Sequence, residues 1–589
     1  MTSPEFPAGR IIAGSWPEGS GEAEAGIIIA ALADWGVVRG PDWFIATEKG
    51  AFSAADYNIV VTTPNIRIMD REAALLRDVS SLADELRVRG AGALDSLAAP
   101  FRLIYVDRST GSLVAAADPS GLGQLFMASW GALSLCASSA TLLADLIGAK
   151  PCLPALAAYA QLGAFPFELT PFEGITKLLA GNRLIIAHGQ PQIQDIESRR
   201  AAGDIRTEFV AAVSTMLAAA PDANLELSGG LDSRLILAAI PKDRRAGRRA
   251  VTLDSSDGAS AEVEVARRIA AMNGLEHKVV PLSLASITNA DGLLELLRHV
   301  AEGYDYMANP FDKVALVLAG RSMTQEHPRF GGQNGEIIRG FYYPLQATET
   351  KISAAQVNRL VDWRLMANDR VTPLIFSDTG NRALTDAGKA FKCRLGAFEG
   401  RWGEVLDRIY LRYRMQSWAG TAVNNRFIGH TILWPFFDEG FLAAAFALPS
   451  VAKRGSLAAY KMLAELDPEL AATPLDNGII PLQMLKGGSI TVITNGVRKA
   501  MKATRKVAQR LRPSSTAVMG SDALLDKWHD LECYRKLDVA GLATLGLFSE
   551  DVLSQIASGA RRADRATLGL LILCDQLVRN ARCALCTSP

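Results

Sequence analysis

Residues 225–240 read LELSGGLDSRLILAAI, and the reading of this stretch decides the fold around it. An alternating apolar run meets two glycines and passes directly into the helical apolar pattern Leu235, Ile236, Ala238, Ala239, which predicts a strand, a tight loop and a helix. Such a loop aims backbone N–H groups at an anion. Glycine allows close approach, Ser228 and Ser233 add hydroxyl donors, and the helix N-terminus supplies partial positive charge, so the expected ligand is a phosphate group. The loop is neither GxxxxGK[ST] nor GxGxxG, and Asp232 stands where a lysine would otherwise serve. A carboxylate repels a bare polyphosphate, so Asp232 reads as a ligand for Mg²⁺ bridging the phosphates. A simple turn cap is the plainer alternative, and the six-residue pattern SGGLDS argues against it.

The chain of 589 residues has room for two to four domains, and 49% hydrophobic with 21% charged residues is an ordinary globular composition. Its 62 basic and 62 acidic residues balance, so nothing in the overall charge calls for nucleic acid or an anionic membrane. The N-terminus lacks a basic-then-apolar signal pattern, and runs such as GIIIAALADW break well before membrane-spanning length; a cytoplasmic protein is expected. Seven scattered cysteines form no disulfide framework, and the lone CxxC of Cys583 and Cys586 has no second pair with which to build a zinc site.

Residues 1–187 carry short apolar runs such as FRLIYVD and LSLCASS between Gly, Ser and Asp turns, which predicts packed β-sheets. Polarity rises over 188–204, marking a linker, and from DIRTEFVAAV onward strands and helices alternate. That alternation predicts a parallel sheet with ligands at the carboxyl ends of its strands. Beyond about residue 345 the pattern is mostly helical, and the basic stretch 497–513 reads either as a solvated helix face or as a dock for an acidic partner.

The motif SGGLDS, the α/β alternation around it and the β-rich first region together resemble the asparagine synthetase family. ADPSGLGQLF, PFEGITKLLAGNRL, GGQNGEIIRGFYY (331–343) and WPFFDEGFLAAAFALP are similar to successive segments of that family, in order. The resemblance implies an α/β and α+β two-domain chain. Residues 1–187 would form an N-terminal β-sandwich, glutaminase-like (Ntn-type) domain, 188–204 the linker, and 205–589 an ATP-dependent synthetase domain with an adenine-nucleotide α-hydrolase-like parallel sheet and a helical extension. It also implies ATP and Mg²⁺ as cofactors, with Glu336 standing where the family has an aspartate that shares the metal with Asp232. Ser228, Gly229, Gly230, Leu231, Asp232 and Ser233 would bind pyrophosphate, Gly332 and Gln333 would line the same pocket, and Asp254 the nucleotide.

The departures from the family carry the functional information. Amide-forming members use an N-terminal cysteine to hydrolyse glutamine, whereas this chain opens MTSPEF and has no cysteine before Cys136, so the nitrogen is expected to come from elsewhere. Gln333 replaces a glutamate, and the charged residues before the family's PFLD segment are absent from IGHTILWPFFD, which argues against free aspartate as substrate. Members with a silent glutaminase half include β-lactam synthetases and lasso peptide cyclases, and GGQNGEIIRGFYY looks most like the cyclases. These adenylate an Asp or Glu side chain of a core peptide and let its own N-terminal amine close a macrolactam. The implied partners are that precursor peptide, a leader peptidase and a leader-binding protein. The segment AEGYDYMANP offers Glu302, Tyr304 and Asp305 as proton acceptors or, alternatively, as caps and core residues, and Lys461 is the candidate to neutralise the adenylate. Another carboxylate–amine ligase, or a silent scaffold, are the rival readings; a scaffold has no use for SGGLDS together with Glu336.

Overall fold

The computed structural model describes residues 9–48, 51–52, 59–61, 67–107, 109–196, 201–254, 260–320, 323, 327–343, 347–366, 370–486 and 521–587. The chain is a mixed α/β protein. Its first region holds two six-stranded antiparallel sheets. One is centred on strands Ile11–Ser15 and Leu133–Ala137, the other on Arg102–Asp107 and Ser112–Ala117. They pack face to face through Ile11, Ala13, Ile45 and Cys136 on one side and Ile104, Val106, Leu113 and Ile186 on the other. The alternate residues point outward and are covered too: Ile12 and Leu135 by Leu142, Leu143 and Leu156, and Leu103 and Tyr105 by Leu82 and Leu86. Burial on both faces is why these strands read as continuous apolar runs instead of alternating ones.

Strand Gln190–Asp195 pairs with Asn182–Ala187, so the second sheet runs on into the stretch whose polarity marks a linker. All six of its residues are exposed, which is how an edge strand comes to look like a linker in composition. The basic stretch 497–513 lies outside the described residues, as do the side chains of Cys583 and Cys586.

The alternating region folds as a five-stranded, wholly parallel sheet. Across the sheet the strands lie in the order Glu276–Pro281, Arg249–Asp254, Asn224–Glu226, Arg329–Phe330, Ile432–Leu433. Chain order therefore reverses between Asn224–Glu226 and Arg329–Phe330, and an open parallel sheet binds its ligands in the crevice at the carboxyl ends beside such a reversal. Both loops singled out in the sequence leave the sheet at this crevice. Helices Ile205–Ala219, Leu231–Ala239 and Ala261–Met272 bury Phe209, Val213, Leu235, Leu237, Ala266 and Ile269 in the core that also takes Leu225, Ala250, Phe330 and Leu433 from the sheet. Among the described residues no helix is long and apolar enough to cross a membrane.

His430, buried just ahead of the last strand of this sheet, gives the fold an acid limit. Burial, reinforced by Arg329, pushes its imidazole down from 6.5 to about 3. The folded state thus binds fewer protons than the unfolded chain, so the stabilisation is complete above pH 6.5 and is lost as pH falls from there toward 3. The slope approaches about 1.4 kcal/mol per pH unit within that window. Melting temperature measured against pH is expected to fall less steeply below pH 6.5 in His430→Gln than in the parent; equal slopes would assign the acid limit to another group.

Candidate functional site

The first loop is tied by its own serines. Ser233 Oγ accepts from the Ser228 N–H at 3.1 Å and lies 2.9 Å from Ser228 Oγ, and Ser228 Oγ accepts from the Gly230 N–H at 3.2 Å. Gly230 caps helix Leu231–Ala239 with no side-chain hydrogen bond, which leaves the helix start open to an anion. Leu231 is buried in the core, so it can offer a ligand only its backbone. A Cβ on Gly229 would sit 2.8 Å from Asp476 Cβ and 3.1 Å from Glu262 Cα, so the loop packs here only with glycine. Arg234, fully buried, donates to the carbonyls of Leu470, Thr473 and Pro474 and holds that segment against the loop; the Asp476 N–H completes the contact by donating to Gly229 O at 3.1 Å. Asp254 is buried at the end of its strand and, with Asp476, raises the Glu262 carboxyl, whose leading cause is burial.

The second loop lies directly on the first. A Cβ on Gly332 would come within 3.2 Å of Asp232 Cβ and of the Ser233 nitrogen, and one on Gly335 within 2.4 Å of Asp232 Oδ1. Asn334 adopts a left-handed backbone (φ 75°) between them, and its amide donates to Phe436 O at 2.8 Å, pinning the loop to the PFF turn. Glu336 follows on the turn Gly335–Ile338, and Gln333 is half-buried beside it. Burial pushes the Asp232 carboxyl up to about 6; Arg339 opposes the shift and Glu336 adds to it. Arg339 donates to both Asp232 oxygens, at 3.0 and 3.2 Å, and Tyr410 donates its hydroxyl to Glu336 Oε2 at 2.7 Å. Burial, then Glu336, hold the Tyr410 phenol well above its usual range, so it remains a donor.

Glu302, Tyr304 and Asp305 form a second group, which faces the first region of the chain. Asp305 Oδ1 accepts from Ser139 Oγ at 2.6 Å and from the Thr141 N–H at 3.1 Å, while Oδ2 accepts from the Ala140 N–H at 3.1 Å, so Asp305 caps helix Ala140–Ile147. Asp305 and Tyr306 both hold φ at 55°, a left-handed pair that this capping keeps in place. Glu302 lies 3.7 Å from Arg426, which in turn pairs with Glu48 of the first region at 3.1 Å. Tyr304 is buried, and burial pushes its phenol up. The Lys461 side chain is 74% exposed and 3.8 Å from Glu465, and the residue before it on the same helix, Tyr460, interacts with Arg339. In the first region Cys136 is buried, and burial pushes its thiol up to about 12, far from a nucleophile.

Residues 204–322 match the asparagine synthase family. The matched segment contains the Ser228–Ser233 loop, Asp254 and the Glu302–Asp305 group, while the Glu336 loop and the PFF turn lie beyond it. No curated protein matches the chain. Among solved structures, glutamine phosphoribosylpyrophosphate (PRPP) amidotransferase from B. subtilis, complexed with ADP and GMP, is 12% identical over 46% of this chain and 81% of its own, with a TM-score of 0.22. A structure described as the allosteric regulatory enzyme of purine biosynthesis is 12% identical over 46% of this chain and 74% of its own, with a TM-score of 0.21. Likenesses of this size fix neither fold nor ligand.

Sequence reasoning misses Arg339, Tyr410, Arg234 and Asp476 of the candidate site. Arg339 and Arg234 lie within the quoted motifs, and a cation placed three residues after a proposed metal ligand is a readable signal. Tyr410 and Asp476 reach the site only through the tertiary fold.

Proposed function

We propose that the chain is an ATP-dependent amide-forming ligase, and specifically a lasso peptide cyclase that adenylates an Asp or Glu side chain of a core peptide and joins it to the peptide's N-terminal amine. The observation that supports the ligase reading is the meeting of loops 228–233 and 331–339 over Asp232, at the point where strand order reverses. In the reaction, a carboxylate oxygen of the peptide attacks the α-phosphorus of ATP and pyrophosphate leaves. The amine then attacks the acyl carbon, the acyl carbon–oxygen bond breaks to release AMP, and the nitrogen gives up one proton. The open start of helix 231–239 and the Ser228 and Ser233 hydroxyls are placed to hold the departing pyrophosphate.

Among the described residues no three His, Cys, Asp or Glu gather to cage a metal. Mg²⁺ commonly binds through one or two carboxylates plus substrate phosphates, and Asp232 with Glu336 would supply that donor set. When bound there it would neutralise phosphate charge. Of the candidate proton acceptors, Asp305 has both oxygens engaged and burial holds the Tyr304 phenol protonated, so we read Glu302, itself 3.7 Å from Arg426, as the acceptor.

The two half-reactions separate the requirements. Given ATP, Mg²⁺ and a candidate core peptide, sought among the genes neighbouring its own, with the N-terminal amine acetylated, the protein is expected to catalyse pyrophosphate exchange without any loss of water from the peptide. The free-amine peptide is expected to lose one water, and the peptide with its acceptor acid changed to the amide is expected to do neither. Amidation of a free small acid with no change in the peptide would instead assign a β-lactam synthetase-like or asparagine synthetase-like ligase.

A further inference from the structure

A row of cations and aromatic rings leads away from the Glu336 loop and ends at the Glu302–Asp305 group. Arg364 lies 4.9 Å from the Phe341 ring centre and Arg414 4.8 Å from the same ring. Arg414 is also 5.1 Å from the Trp418 ring, Lys313 is 5.9 Å from Trp418, and Lys313 is 5.5 Å from Tyr304. Phe341 belongs to the loop that carries Glu336, and Tyr304 adjoins Asp305, so the row joins the two groups of candidate residues.

The three cations of the row have no anion in contact. Among the described residues, none of Arg364, Arg414 and Lys313 has a carboxylate oxygen within 4.0 Å, although Arg339 alongside them is paired with Asp232. Arg414 Nε is buried with no hydrogen-bond partner, and the Lys313 ammonium has no acceptor among the described residues. Burial pushes the Lys313 ammonium down to about 8, a penalty that an incoming carboxylate would offset. Meanwhile Trp418, between two of these cations, is 43% exposed. Cation–aromatic contacts hold such charges in place, and Glu336 offsets part of the charge on Arg364 and Arg414 from beyond contact distance, so the row presents fixed positive charge, least compensated at Lys313, beside accessible ring surface.

We propose that this row seats the acceptor substrate, and that it takes an acidic peptide segment whose carboxylates pair with Arg364, Arg414 and Lys313 while its apolar side chains lie on Phe341 and Trp418. This rests on the reading of the adjoining site as a carboxylate-activating ligase. Three separated cations exceed what one small acid needs, which favours a peptide. A polynucleotide is the less fitting polyanion, because the chain's formal net charge is +0 and provides no long-range attraction.

The test reads binding without nucleotide, so that it is independent of adenylation. A short fluorescein-labelled peptide of alternating Gly and Glu with a free C-terminus is titrated with the full chain and followed by anisotropy, beside its Gly/Gln amide counterpart. The acidic peptide is expected to bind saturably and at least tenfold more tightly than the neutral one. Lys313→Met and Arg414→Gln are each expected to weaken it tenfold or more, and Trp418→Ala, on an exposed side chain, severalfold with an unchanged melting temperature. Lys389→Met, at an exposed lysine paired with Asp386, is expected to leave it unchanged. Absence of saturable binding, equal affinity for the two peptides, unaltered affinity in the Lys313, Arg414 and Trp418 variants, or displacement by oligothymidylate at lower concentration than by unlabelled peptide would each overturn the proposal. Intact peptide binding without pyrophosphate exchange would overturn the ligase reading and leave the peptide seat standing.

Discussion

Asp232→Asn and Glu336→Gln are each expected to lower substrate-dependent pyrophosphate release by about 10³-fold, the scale on which a preorganised charge at a reacting phosphate acts. Both substitutions are nearly isosteric, so the fold is expected to persist. The Gly335 backbone packs against Asp232 through contacts that an asparagine also makes, and after Glu336→Gln the Tyr410 hydroxyl can still donate to the amide oxygen of the new side chain. What changes is charge. Two carboxylates, one of them bonded to the Arg339 guanidinium, become a site that no longer attracts a divalent cation in competition with Arg339. The measurement is exchange of labelled pyrophosphate into ATP across a Mg²⁺ titration, with circular dichroism to verify folding. Exchange within twofold of the parent in both variants would remove Asp232 and Glu336 from the metal site.

The second large effect concerns stability, and it separates two roles for Asp305. The carboxylate receives three donors from the start of helix Ala140–Ile147, so Asp305→Ala leaves the Ser139 hydroxyl and two backbone N–H groups without acceptors inside a buried contact. The expected loss is about 3 kcal/mol, since hydrogen bonds to a charged group are worth about 1.5–3 kcal/mol each and do not add. Asp305→Asn keeps an oxygen for the Ser139 and Thr141 donors but turns an amide toward the Ala140 N–H, so an intermediate loss is expected. Urea unfolding followed by tryptophan fluorescence reads both, with exchange activity per folded molecule preserved. Unchanged stability together with lost ring closure would make Asp305, and not Glu302, the proton acceptor.

The asymmetry between the two groups of candidate residues reflects how each is encoded. The Ser228–Ser233 loop is local: a strand, two glycines and a helix start are contiguous in sequence, and their geometry follows from backbone sterics and hydrogen bonding within six residues. Asp305 is not local, because whether a loop carboxylate caps a helix or takes a proton depends on what lies opposite it, here residues 139–141. Strand Gln190–Asp195 shows the same limit, since an edge strand exposed on both faces has no apolar period to read.

From residues alone, then, the strand–loop–helix at 225–240, the alternating α/β region after it and packed β-sheets before it could be written down, because each is set by local periodicity and turn chemistry. Only the tertiary structure decided that Arg339 closes on Asp232, that Tyr410 reaches Glu336 across 74 residues, and that Arg364, Arg414 and Lys313 line up on three aromatic rings. The physical reason is the same for all three: a side chain's partner is chosen by the packing of distant elements, and packing is a property of the whole fold that no short window of sequence contains.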